Sequence, residues 1–102
     1  MFENYNFNPG IVSYNPYKLS PDDITDINWL GEDMVQVRYE NGFILDVGWY
    51  GKTFTLDGVF IINIIKDYKW DKPVYKKEYR SLTELYNGMN KAIVRINILL
   101  KQ

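Results

Sequence analysis

The chain of 102 residues contains no histidine and no cysteine. Without histidine, the Ser-His-Asp and Cys-His arrangements that activate a nucleophile lack their general base. Without either residue type, a zinc site lacks its usual ligands and no disulfide framework can form. These absences exclude several classes of enzyme mechanism. We expect no catalytic site, no metal and no cofactor.

Long apolar runs and phosphate-binding glycine motifs are missing as well. The most apolar stretch, Val59–Ile65, is interrupted by Asn63 and is far shorter than the ~20 residues that cross a bilayer. The first residues lack the basic and apolar segments of a secretory signal. No glycine pattern typical of nucleotide binding occurs. We therefore expect a cytoplasmic protein that has no membrane partner and no small-molecule substrate.

The composition is that of a folded domain, with 46% hydrophobic and 17% aromatic residues. The length suits a single domain over residues 1–102. Residues 1–20, which are rich in Asn, Tyr and Pro, predict an irregular N-terminal arm laid over the core, with a short strand at Gly10–Tyr14. Ser20–Asp23 has serine, proline and acids in the order of a helix start, and predicts one helical turn.

A β-hairpin is the clearest local signal. Met34–Tyr39 and Phe43–Tyr50 both alternate in polarity, and Glu40-Asn41-Gly42 lies between them. A two-residue turn would mix the two faces, whereas a three-residue loop with Gly42 in the left-handed region pairs Tyr39 with Phe43. That register puts the apolar residues on one face and leaves Gln36, Arg38, Ile44, Asp46 and Gly48 on the other.

Two further strands and a helix complete the predicted fold. Val59–Lys66 is apolar on both faces, as in a strand covered on each side, and Val74–Arg80 predicts an exposed strand. Ser81 to Glu84 forms a capping box. The apolar stripe that follows it is Leu82, Leu85, Tyr86, Met89, Ile93, Ile96 and Leu100. Because residues 93–100 also alternate, a strand there is the alternative. We predict an α+β fold: an antiparallel sheet of about four to five strands with one main C-terminal helix packed on a face.

Charge is divided unevenly along the chain. Residues 1–60 contain nine acidic and three basic residues, a net charge of −6, and residues 61–102 contain four acidic and nine basic residues, a net charge of +5. Such asymmetry indicates an interaction surface, and its alternative is a mixed surface whose signs interleave after folding. The carboxylates could also form an acid/base pair or a cation site, but helix starts and polar turns explain them better.

The acidic half carries the residues that we predict to contact a partner. Acidic groups around an aromatic anchor suit a basic protein partner, because Trp and Tyr dominate interface energetics and complementary charge speeds association. Trp49 continues the apolar face of the hairpin and is predicted to be buried, whereas Asp46 on the opposite face is the better contact. The candidate partner-binding residues are Asp22, Asp23, Asp26, Glu32, Asp33, Asp46 and Tyr50.

The basic half supports a different interpretation. Residues 66–80 interleave six basic residues with Tyr68, Trp70, Tyr75 and Tyr79, a pattern that suits single-stranded nucleic acid. The isoelectric point of about 5.3 argues against this function, since nucleic-acid binders usually run basic. The tyrosines can also be ordinary strand residues, with lysines that guard an exposed edge. A small nucleic-acid-binding module is the alternative function.

The order of several motifs resembles that of small bacterial immunity proteins from contact-dependent growth inhibition and related polymorphic toxin systems. The resemblance covers about residues 24–97 and lies in Asp46–Gly51, Gly58–Asp67, Trp70–Pro73 and the Ser81–Ile93 segment. It implies a cytosolic antidote that binds a cognate toxin domain, often a nuclease, and blocks its active site. A nuclease presents a cationic groove, so an acidic surface would mimic its polyanionic substrate. The resemblance carries no shared functional residues, and the candidate contacts above come from the charge argument.

Overall fold

The computed structural model of this chain describes residues 1–17, 19–24, 33–51 and 58–102. A long C-terminal helix, α1, covers Leu82–Leu100. Within the described ranges, seven strands precede it. They are β1 (Ile11–Tyr14), β2 (Leu19–Ser20), β3 (Asp23–Ile24), β4 (Val35–Arg38), β5 (Phe43–Gly51), β6 (Gly58–Lys66) and β7 (Tyr75–Tyr79).

The main sheet has five strands in the order β1-β4-β5-β6-β7, and every neighbouring pair is antiparallel. The helix α1 packs on one face of this sheet, mainly against β6 and β7. The predicted α+β fold is therefore confirmed. Strands β2 and β3 form a separate two-stranded hairpin.

The β4–β5 hairpin has the predicted register. Val35 pairs with Val47 and Val37 with Leu45. The N–H of Tyr39 donates to the carbonyl of Phe43 at 2.9 Å, which closes a three-residue loop. Gly42 has a φ of 79°, the left-handed conformation that this loop needs and that glycine adopts without steric cost.

Alternation along β5 and β6 divides the sheet into two faces. The inner face points to α1 and buries residues from β4, β5 and β6, whose partners on the helix are Leu85, Met89, Ala92 and Ile96. Trp49 belongs to this core and is buried, as predicted. We call the opposite side the outer face. Its residues Ile44, Ile61 and Ile65 are buried too, so β6 is covered on both faces, as its apolar sequence predicts.

The helix begins at the predicted cap. The hydroxyl of Ser81 accepts a hydrogen bond from the N–H of Glu84 at 3.1 Å. The carboxylate of Glu84 reaches back to the N–H of Arg80 at 3.2 Å, one residue earlier than in the usual capping box. The helix continues unbroken to Leu100, so the alternative of a strand over residues 93–100 is wrong.

The predicted helical turn at Ser20–Asp23 is also wrong. Ser20 pairs with Asp23 and Leu19 with Ile24, so Pro21 and Asp22 form the turn of the β2–β3 hairpin. Serine followed by proline and aspartate is typical of both a helix start and a β-turn. Leu19 is only 2% exposed and packs in the core. This contact holds β2 against the core and favours the hairpin.

The N-terminal arm is fastened to α1 through aromatic residues. Phe2 and Phe7 are buried, which agrees with the prediction that the arm lies over the core, although β1 and β2 make part of it regular. The ring of Phe2 stacks on Tyr86 with centroids 4.3 Å apart. The hydroxyl of Tyr86 accepts from the N–H of Phe2 at 3.2 Å and donates to the carbonyl of Leu19. Tyr86 therefore joins the helix, the arm and β2.

Replacing Tyr86 by phenylalanine is expected to destabilise the fold by about 1–3 kcal/mol, because the N–H of Phe2 and the carbonyl of Leu19 lose a partner in a partly buried place. Urea denaturation measures the change. Tyr14→Phe is the matched control: Tyr14 is 40% exposed, so the change in stability should stay within about 0.5 kcal/mol. Equal losses in the two variants would contradict this role of Tyr86.

Candidate functional site

A row of polar side chains crosses the outer face from β4 to β7. Cross-strand pairing places Gln36 opposite Asp46, Asp46 opposite Asn63, and Asn63 opposite Lys76. The amide of Gln36 donates to a carboxylate oxygen of Asp46 at 3.2 Å. Residues opposite each other on antiparallel strands project from the same face, so four successive strands each contribute one member of this row.

The middle of the row is buried. Asp46 is only 2% exposed, which corrects the prediction that its side chain lies open for contact. Burial raises the pKa of Asp46 to about 6; the hydrogen bond from Gln36 lowers it and the nearby charge of Asp33 raises it further. Alternation placed Asp46 on the correct face, but the isoleucines around it are buried as well, so this part of the face is closed to solvent.

Asn63 contributes a buried polar atom whose hydrogen-bonding capacity is not satisfied. Its Oδ1 atom is buried and has no hydrogen-bond partner within the described part of the chain. A buried acceptor without a donor costs about 1–3 kcal/mol. An ionised Asp46 offers only acceptors, so it cannot donate a hydrogen bond to the Oδ1 atom of Asn63. The row therefore stores unfavourable polar energy in the folded chain.

An open groove adjoins the row near the β1 edge of the sheet. It measures about 400 Å³ and is lined by Ser13, Tyr14, Asp33, Gln36 and Arg38. The hydroxyl of Ser13 donates to the carbonyl of Gln36 at 3.3 Å, which joins β1 to β4 beside the β-bulge. Asp33 and Arg38 are exposed, so the groove presents one charge of each sign together with a tyrosine ring.

A tight turn after β6 folds back toward this groove. Asp67 and Tyr68 both have left-handed backbones, with φ of 55° and 59°, and the N–H of Lys69 donates to the carbonyl of Lys66 at 3.2 Å. Arg38 donates to the hydroxyl of Tyr68 at 3.1 Å, and because Arg38 lies on β4 this bond passes over β5. Left-handed non-glycine residues cost roughly 1–3 kcal/mol each and concentrate at functional sites.

We define the outer-face site as Tyr14, Asp33, Gln36, Arg38, Asp46, Asn63 and Tyr68. Among the candidate contact residues whose side chains are described, three lie on the outer face: Asp33 in the groove, Asp46 hydrogen-bonded to Gln36, and Tyr50 farther along β5, where it is 38% exposed. Asp46 and Tyr50 share this face because β5 alternates, whereas Asp33 precedes β4 and reaches the face at the groove.

Of the other candidates, the structure describes the side chain of Asp22 alone, and it lies elsewhere. Asp22 is exposed in the β2–β3 turn and lines a separate cleft with Glu3 and Tyr86. Asp23 begins β3, and its side chain is not described. Asp26 and Glu32 lie outside the described residues.

The basic and aromatic stretch 66–80 does not form one surface. Tyr68 and Trp70 are 64% and 47% exposed in the turn after β6. Tyr75 and Tyr79 instead pack half-buried against the inner core. The four aromatic residues of the predicted nucleic-acid platform therefore form two groups, one in the exposed turn and one on β7 against the core.

Sequence reasoning missed Tyr14, Asn63 and the contact between Arg38 and Tyr68. One signal for Asn63 was available, since it is the single polar interruption of the apolar strand β6. The other contacts join segments that are distant in the chain, and no local pattern indicates them.

In comparisons with known proteins, no family model, no curated protein and no solved structure matches this chain. Within the described residues, no group of three or more acidic side chains is arranged to hold a metal ion. No helix among them combines the length and the apolar character needed to cross a bilayer.

Proposed function

We propose that this chain is an immunity protein of a bacterial contact-dependent growth inhibition or related polymorphic toxin system. It acts in the cytoplasm, has no catalytic activity of its own, and neutralises a cognate toxin domain by covering the active site. The toxin is a nuclease in this proposal, because a cationic substrate groove is the natural complement of the acidic first half of the chain.

The observation that carries the proposal is the composition of the outer-face site. Arg38 and Tyr68 are exposed and hydrogen-bonded to each other, and Tyr14 lines the adjoining groove. Tyrosine and arginine are among the residues that dominate protein-interface energetics. The strained turn that presents Tyr68 favours a function in binding, since it has a cost in the free chain.

Charge supplies the preference for a basic partner. Asp33 is exposed at the groove, and Asp46 lies close enough for the two carboxylates to interact. A cationic side chain of the toxin above Asp33 would favour the ionised form of Asp46 as well. Binding would then offset part of the desolvation cost of the charge on Asp46.

The test is a titration of the purified protein with the toxin domain encoded beside it in its source genome. We expect a complex with a dissociation constant on the order of nM or below. Asp33→Lys and Tyr68→Ala should each weaken it about tenfold or more, the range of a hot-spot or close charge contact. Glu40→Lys is the matched control, because Glu40 is exposed in the hairpin loop and lies outside the groove.

Three results would count against the proposal in different ways. Absence of binding would contradict the antidote function for that pairing. Normal binding by the two outer-face variants, with loss in Asp22→Lys, would move the interface to the cleft at the β2–β3 turn. A labelled single-stranded nucleic acid that bound in a salt-dependent manner, and lost binding on charge reversal of Lys69 and Lys72, would favour the alternative function.

A further inference from the structure

A second groove lies on the helix side of the sheet, away from the outer-face site. It measures about 510 Å³ and runs between β7 and the second half of α1. The residues that matter to its chemistry are Tyr75, Lys77, Lys91, Val94, Arg95 and Ile98. We call it the α1–β7 groove.

The groove has an apolar floor that this chain leaves open. Val94 is 60% exposed and Ile98 is 49% exposed, although both are large aliphatic residues. They lie four residues apart on α1 and therefore form one continuous strip along the helix. Tyr75, half-buried at the edge of the core, extends the strip onto β7.

Positive charges surround this strip. Lys77, Lys91 and Arg95 are all exposed, and none of the described residues that line the groove is acidic. The guanidinium of Arg95 stands 5.7 Å from the centre of the Tyr75 ring, a cation–π contact that holds it beside the apolar floor. Apolar surface bordered by cations complements a segment that carries both apolar and acidic side chains.

The strand beside the groove can also pair with another strand. β7 lies at one end of the five-stranded order, so alternate backbone N–H and C=O groups of Tyr75–Tyr79 point away from the sheet. A strand added there would lie ~4.8 Å from β7, under the exposed side of α1. Every second side chain of that strand would face Val94, Ile98 and their cationic neighbours.

We propose that the α1–β7 groove binds an extended acidic segment of a partner protein, which adds to β7 as a sixth strand. Its backbone pairs with the open edge of β7, its apolar side chains cover Val94 and Ile98, and its carboxylates meet Lys77, Lys91 and Arg95. This surface is separate from the outer-face site, so the inference does not depend on the proposed antitoxin function.

The probe is an eight-residue peptide of alternating glutamate and valine, titrated into the full chain and followed by backbone amide shifts. We expect saturable shifts in β7 and α1, with a dissociation constant on the order of 100 μM, as suits a short peptide that must become ordered on binding. The same peptide with lysine in place of glutamate should bind at least tenfold more weakly. An N-methylated acidic peptide, which keeps its charges but cannot pair, should also lose binding.

Variants then locate the site. The double variant Lys91→Glu/Arg95→Glu and the single variant Val94→Asp should each weaken the acidic peptide at least tenfold, and all three side chains are exposed, so the fold should persist. Lys101→Glu is the control, since Lys101 is an exposed cation beyond the groove. Equal binding of the acidic and basic peptides, or equal loss in the control, would overturn the proposal. So would a dimer of this chain in sedimentation that Val94→Asp dissociates.

Discussion

Asp46→Asn is expected to stabilise the fold by roughly 2–4 kcal/mol at pH 7.5 and to have little effect near pH 3.5. The carboxyl of Asp46 is buried in the middle of the outer face, where its pKa rises to about 6. A pKa raised by about two units corresponds to about 3 kcal/mol of stability that is lost when the group ionises. Asparagine keeps the acceptor for Gln36 and removes the charge.

The sign of the pH dependence follows from which state holds the proton more tightly. Between an unfolded pKa of about 4 and the folded pKa of about 6, the native chain binds more protons than the unfolded chain. The contribution of Asp46 is therefore fully present below this window and is lost as pH rises through it. The asparagine side chain also brings an N–H donor next to Asn63, whose Oδ1 has no described partner.

Urea denaturation of both proteins at pH 3.5 and pH 7.5 measures this difference. Comparing wild type with variant at each pH cancels the titration of the other carboxylates. Glu78→Gln, at an exposed position of β7, should change stability by less than about 0.5 kcal/mol at either pH. A variant that is destabilised, or equally stabilised at both pH values, would contradict the pKa of Asp46 on which this prediction depends.

Ile96→Ala is expected to cost about 2–5 kcal/mol, whereas Ile98→Ala should cost less than about 1 kcal/mol. Ile96 is fully buried between α1 and the sheet, so truncation leaves a cavity in addition to the lost transfer free energy. Ile98, two residues later, is 49% exposed on the α1–β7 groove. The same chemical change thus has very different consequences on the two sides of one helix.

The two truncations, Ile96→Ala and Ile98→Ala, distinguish a helix over residues 93–100 from the strand that the sequence also allowed there. In a strand, residues 96 and 98 would share a face and their truncations would cost similar amounts. In a helix they are separated by about 200° and only one reaches the core. Thermal or urea unfolding monitored by circular dichroism supplies both values, and equal losses would be inconsistent with α1 as described.

Much of the fold was predictable because its signals are local. The three-residue hairpin loop follows from the glycine at position 42 and from the alternation of β4 and β5, since a slip of one residue would turn the apolar set outward. The helix cap at Ser81 is likewise specified by four consecutive residues, 81–84. Where two local interpretations matched equally well, as at Ser20–Asp23, contacts of Leu19 with the core decided between turn and helix.

The candidate site was predicted less completely. Alternation correctly put Asp46 on the outer face, yet alternation says only which way a side chain points and nothing about what covers it. The groove of Tyr14, Asp33 and Gln36, and the bond from Arg38 to Tyr68, join segments more than ten residues apart. Which acidic residues share a surface is therefore a property of chain topology.

The sequence by itself determined the α+β class, the hairpin register, the start of the helix and the absence of histidine and cysteine chemistry. Each of these depends on residue identity or on interactions between near neighbours in the chain. Only the tertiary structure decided that Asp46 is buried with a raised pKa, that residues 93–100 are helical, and that Tyr68 meets Arg38. Burial and long-range pairing decide these features, because the desolvation of a side chain depends on every element packed around it.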